Sequence, residues 1–121
     1  MTSMSERFVS VADRATFDPA KATKADLCRG AHLFVGLNCF AAGQSQPLHA
    51  HRGADKFYLV LSGKARMTVG EETREVTAGT VVFAPADVPH GVELALEPTV
   101  MVMAMAPTDE VGGAKRRSPG A

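Results

Sequence analysis

Gly43-Gln44-Ser45-Gln46-Pro47-Leu48-His49-Ala50-His51-Arg52-Gly53-Ala54-Asp55-Lys56-Phe57-Tyr58-Leu59-Val60-Leu61-Ser62-Gly63 is the stretch on which the fold turns. It holds two of the chain's four histidines, two positions apart. On an extended backbone, residues so spaced point to one side. The stretch closes on Phe57 to Leu61, an aromatic and branched run typical of strands, and Gly63 stops it. A second stretch has a related form. Gly79 precedes the apolar run Thr80-Val81-Val82-Phe83-Ala84, Pro85 ends that run, and His90 follows inside a Pro-His-Gly turn. Three imidazoles, those of His49, His51 and His90, can therefore converge, and three such groups make a site for a transition metal. Lys56 stands among them.

Outward from these stretches, the chain reads as strands. Ala31 to Phe40 carries Leu33, Phe34, Val35, Leu37 and Phe40 between Gly30 and Gly43. Ala65 to Val69 and Thr73 to Thr77 flank Gly70-Glu71-Glu72 and form a hairpin. Thr80 to Ala84 is a short buried strand. Thr99 to Ala106 alternates cleanly, with Met101, Met103 and Met105 on one face. At strand spacing such a methionine stripe is a core or subunit-interface face rather than a soft metal site. Before these strands, Met1 to Asp26 is a lead-in broken at Asp18-Pro19, and Ala20 to Leu27 is predicted to hold a helical turn or two. Short strands punctuated by Gly and Pro, with no long repeat, predict an all-β sandwich or closed barrel.

The totals set bounds on function. A length of 121 residues suits one domain. Thirteen basic and thirteen acidic residues cancel, so no basic field argues for nucleic acid or an anionic membrane. The one basic cluster, Lys115-Arg116-Arg117, falls in a Gly- and Pro-containing tail that reads as a flexible terminus. Apolar runs are too short for a membrane-spanning helix, and no signal sequence is evident. Cys28 and Cys39 make no disulfide framework, so both are expected free in a cytoplasmic protein, with Cys39 a small core residue.

The paired blocks resemble the two motifs of the cupin superfamily, small double-stranded β-helix barrels, over residues 31 to 106. The resemblance implies a barrel over 27–106, an N-terminal extension packed on it over 1–26, and a C-terminal tail over 107–121. It implies His49, His51 and His90 as ligands of one divalent ion: iron, zinc, nickel or manganese. Two departures accompany it. Lys56 occupies the place where most metal-binding cupins have a glutamate ligand. In the second block Asp87 replaces a Gly, which Asp's tolerance of turns accommodates, and Leu94 replaces a polar residue.

Lys56 is the departure with consequences. An ammonium about 5 Å from a divalent ion, at an effective dielectric of about 20, feels a repulsion on the order of 7 kcal/mol. That corresponds to roughly five pKa units. Four arrangements are open: an inward neutral amine, an outward snorkelling chain, an amine paired to an anion bridging it to the metal, or no metal. A bulge after Gly53-Ala54 would exchange Asp55 for Lys56 and return a carboxylate to the site.

Three neutral imidazoles leave a metal its full double charge, which favours anionic oxygen ligands. The expected activity is therefore a dioxygenase-like, isomerase or lyase reaction on a small anionic chelator. Phe34, Phe57, Tyr58, Phe83 and methionines are expected to line the barrel, with Lys56 and Tyr58 the candidate catalytic residues. Gln44 and Gln46 would orient ligands, Glu93 is a weak further ligand candidate, and His32 is structural or exposed. Two other readings stand beside this one. A non-catalytic cupin would bind a sugar or small metabolite, with Lys56 pairing a ligand anion. A structural dimer would use the Met101-Met103-Met105 face as its interface. Similarity to small cupins also implies a homodimer through an edge strand.

Overall fold

The structure, a computed structural model, describes residues 7–108. Nine strands follow one another: β1 Thr23–Arg29, β2 Phe34–Phe40, β3 Gln46–His49, β4 Asp55–Ser62, β5 Lys64–Val69, β6 Glu72–Thr77, β7 Val81–Ala84, β8 His90–Ala95 and β9 Thr99–Ala106. They form two antiparallel sheets, in the orders β1-β2-β9-β4-β7 and β3-β8-β5-β6. The expected all-β double-stranded helix is the fold observed. The β5–β6 hairpin, β7 and β9 lie where the sequence pattern places them, but β7, expected to be buried, is an edge strand with Val81 and Phe83 exposed.

Strand parity builds the interior. Phe34 and Phe40 of β2, Tyr58 and Val60 of β4, and Met101, Met103 and Met105 of β9 pack in one cluster with Val92 and Met67 of the facing sheet. The methionine stripe is therefore core. Met101 and Met103 are wholly buried, so that face is not available as a subunit interface. The opposite face of β2 and β9 carries a second cluster of Leu27, Leu37, Cys39 and Val100, against which Val9, Val11 and Ala15 pack.

Two further sequence expectations fail, both through parity. Ala20 to Leu27 forms no helical turn; the helical geometry near it is a 3-10 turn at Val11–Asp13. Thr23-Lys24-Ala25-Asp26-Leu27 alternates with period two, and pairing Thr23 to Cys39 and Ala25 to Leu37 buries the apolar members. The strand ladder outweighs a weak local helix preference. Phe57 and Phe83, expected inside the barrel, face each other across β4 and β7 on the outer surface. They are 40% and 55% exposed, because Lys56 and Tyr58 take the inward positions of β4. The tail expected over 107–121 lies, from residue 109 on, outside the described residues.

Candidate metal centre

His49 is the last residue of β3 and pairs directly with His90, the first residue of β8. That pairing needs a close approach of the two strands, and Gly91 permits it. A Cβ at position 91 would lie 2.7 Å from the Gln46 carbonyl oxygen and 2.9 Å from that of Pro47. His51 lies beyond the strand end, in the loop to β4. Its loop is laced to the second motif by three hydrogen bonds. Asp87 donates its N–H to the His51 carbonyl at 3.0 Å. The Asp87 carboxylate accepts from Gly53 N–H at 3.2 Å, and that of Asp55 accepts from Ala86 N–H at 2.9 Å. Asp87 adopts a left-handed backbone, φ 71°, which Asp tolerates better than most residues.

The three rings meet. Centroids of His49 and His90 are 4.4 Å apart, those of His49 and His51 5.0 Å, and those of His51 and His90 5.6 Å. One nitrogen from each lies within 4.8 Å of the others. The Nδ1 atoms of His49 and His90 each sit 3.0 Å from the carbonyl two residues back, Pro47 and Val88. Donation from Nδ1–H to a carbonyl fixes the tautomer and leaves Nε2 with its lone pair free. The Nε2 atoms of all three rings are buried and have no hydrogen-bond partner. Three orphaned acceptors on clustered rings fit a metal ion. Burial lowers all three imidazole pKa values, that of His51 to about 3 and that of His90 to about 4, so the rings are neutral donors at pH 7.

Lys56 points inward. It is 2% exposed, in register with Ala84 and Met105, and its Nζ has no hydrogen-bond partner. The ammonium rests 4.6 Å from the centroid of the Tyr58 ring. Burial first, and then the charge of Lys24, lowers its pKa to about 7. The outward-snorkelling arrangement is thus not adopted. Nor does a bulge bring Asp55 inside: Asp55 is exposed and bonded to Ala86, and the β4 irregularity falls between Val60 and Ser62 instead. Ladder pairing of Lys56 on both sides leaves no room for an exchange of register.

Tyr58 is fully buried, and its hydroxyl donates to Gln46 Oε1 at 3.2 Å. Its ring centroid is 6.1 Å from that of His90. Burial pushes its phenol above the usual tyrosine range, so it remains a hydrogen-bond donor. Gln44 plays another part than the one expected of it. It caps the turn by accepting from Ala41 N–H and donating to the Asp18 carbonyl, away from the histidines. Glu93 is exposed and lies 3.9 Å from Arg66, and His32 is exposed.

Two polar residues near the site escaped the sequence reading. Asn38 is 1% exposed, and both its side-chain polar atoms lack partners. Lys24 pairs with it across β1 and β2. An amide inside the apolar run of β2 was the available signal for the first. The period-two alternation of β1 was the signal for the second.

The cupin domain sequence model matches residues 36–105. An uncharacterised protein of Streptomyces coelicolor is 45% identical over 64 residues, 51% of this chain and 58% of that protein. The chain spans about half the length of the curated relatives it matches, 58% and 41%. A crystal structure from Thermus thermophilus superposes with a TM-score of 0.77 at 32% identity, over 83% of this chain and 96% of that one. A double-stranded β-helix protein of Klebsiella pneumoniae shares the fold, with a TM-score of 0.78 at 22% identity over 91% and 94% of the two chains. With the family model covering more than half the chain and the two sheets closing around three histidines, this protein belongs to the cupin domain family.

Proposed function

We propose that this cupin holds one divalent transition ion on His49, His51 and His90 and binds a small anionic chelator against it. The observation that carries the reading is a cluster of three imidazoles whose buried Nε2 atoms have no partners. A metal there supplies Lewis acidity and, if iron, redox chemistry. The protein's own groups do the rest. The Pro47 and Val88 carbonyls hold two rings in the ligating tautomer. Tyr58 is fixed by Gln46 beside His90, and Lys56 offers an ammonium to an anion without competing for a carboxylate. With no acid among the clustered ligand groups, the centre favours anionic oxygen donors.

Dioxygenase-like chemistry is the first reaction class proposed, with isomerase or lyase chemistry next. Oxygen uptake by the iron-loaded protein with α-hydroxy acids, α-keto acids and catechols tests it. Uptake that disappears in His90→Ala supports an oxygenase. Binding of those acids without oxygen consumption moves the reading to isomerase or lyase chemistry, or to a non-catalytic cupin that senses a metabolite.

We also propose a homodimer. Leu61, Val81 and Phe83 are 39%, 60% and 55% exposed on or beside the four-residue edge strand β7. A second copy would cover this open edge. The expected site of action is the cytoplasm, consistent with two free cysteines. Among the described residues no helix is long and apolar enough to cross a membrane.

A further inference from the structure

Lys24 belongs to the interior face of the large sheet although it lies on the edge strand. It pairs with Asn38, and directly paired residues of an antiparallel ladder project from the same face. Asn38 faces inward with Phe34 and Phe40, whereas Leu37 and Cys39 face the outer cluster. Ala22, two residues before Lys24, packs on the inner cluster as well. Yet Lys24 is exposed. Lys24 therefore stands at the solvent-exposed rim of the interior face, on the edge strand of the sheet. Its charge bears on Lys56, His49 and His51 alike.

Among the described residues, three carboxylates of the loops and strands around the histidines are committed elsewhere. Asp55 is turned out to Ala86, Asp87 to Gly53, and Glu93 to Arg66. Asp26, on the strand face of Lys24 and exposed, does not figure among the charges acting on Lys56. Deeper inside, the buried Nζ of Lys56 and the buried amide of Asn38 are both without partners. One interior face thus carries an exposed ammonium at Lys24 and a buried amine at Lys56.

We propose that Lys24 and Lys56 are the outer and inner poles of one anion-binding site, so that its ligand carries two separated anionic groups. One group meets Lys56 beside the histidines, and the other meets Lys24 at the rim of the interior face. This deepens the reading of the histidine site as the seat of an anionic chelator, and rests on it. The ligand class becomes a small dianion, such as a hydroxy-dicarboxylate, in place of a simple monoacid. Lys24 is a specificity-determining residue in this arrangement and takes no part in the chemistry.

The test is calorimetric binding of matched acids to the protein as purified. Malate, 2-hydroxyglutarate and 2-hydroxyadipate are each compared with the 2-hydroxy monoacid of the same carbon count. The proteins are the native chain, Lys24→Met and Lys24→Arg, with metal content measured on every sample. The expected result is a preference of about threefold to tenfold for the dianion at one chain length or more. That ratio, read within each protein, should fall to near unity in Lys24→Met and return in Lys24→Arg. An equal preference in native protein and Lys24→Met at every length overturns the proposal, as does the absence of binding by any of the acids. Metal content separates the two claims. A Lys24-dependent preference without metal sustains the clamp and sinks the metal reading. One ion per chain without that preference does the reverse.

Discussion

Lys56 controls the charge of the site, and its protonation is open to measurement. Its pKa is lowered from 10.5 to about 7, so in the metal-free protein folding at neutral pH releases a proton that the unfolded chain holds. A depressed pKa contributes stability that is full above the unfolded value and is lost as pH falls through the folded value. The penalty therefore grows between pH 10.5 and about 7, then levels. Lys56→Met should remove a cost on the order of a few kcal/mol at pH 7 and almost none above pH 10.5. Urea unfolding at both pH values measures that difference. The same group should govern metal affinity. With His51 and His90 at about 3 and 4, the rings do not protonate near pH 6. Affinity should fall as Lys56 charges below about pH 7, and Lys56→Met should show the smaller fall when titrated with zinc in a non-coordinating buffer. The identities of the three histidines and of the anomalous lysine were legible in the sequence. The inward direction of Lys56 was not, because a lysine stem suits either face and only the pairing on both sides of β4 decides.

At the scale of elements, the centre depends on how closely two strands and two loops are drawn together. Gly91→Ala would press a Cβ onto the backbone of β3, so something must shift there. Separation of β3 from β8 would pull His49 away from His90. We expect a loss of metal affinity of at least tenfold together with a lower melting temperature, read by metal titration and calorimetry. Asp87 offers a subtler probe. Asp87→Ala loses the bond to Gly53 and strains a left-handed residue, which should cost about 1–3 kcal/mol. Asp87→Gly should cost less, since the backbone strain is relieved, and unfolding curves of the two variants give the comparison. Strand existence was readable from composition and turns. Strand β1 was missed because Ala25 and Leu27 give it little apolar content, and the residues that bury them, Leu37, Cys39 and Val100, lie on other strands. The laced loops were equally invisible, since a carboxylate bonded to an amide thirty-four positions away leaves no local signature.

The described residues join a buried centre of imidazoles and an amine to an apolar outer face over β4 and β7. Parity links them: by turning Lys56 and Tyr58 inward, β4 turns Phe57 and Leu59 outward, and Phe57 meets Phe83 in register. If that face is the seam of the proposed homodimer, light scattering should give twice the 12.7 kDa chain mass, and Phe83→Lys should give the monomer. A monomeric native protein would remove the dimer from the account. The barrel as a whole was predictable from its two punctuated blocks, but which aromatics line it was not, because that depends on register. The central claim remains the metal. Metal per chain, measured by inductively coupled plasma mass spectrometry on untagged protein and on His49→Ala, tests it most directly. Native protein should carry about one transition ion per chain and the variant almost none. A native value near zero that persists after reconstitution with iron, zinc, nickel and manganese would contradict it.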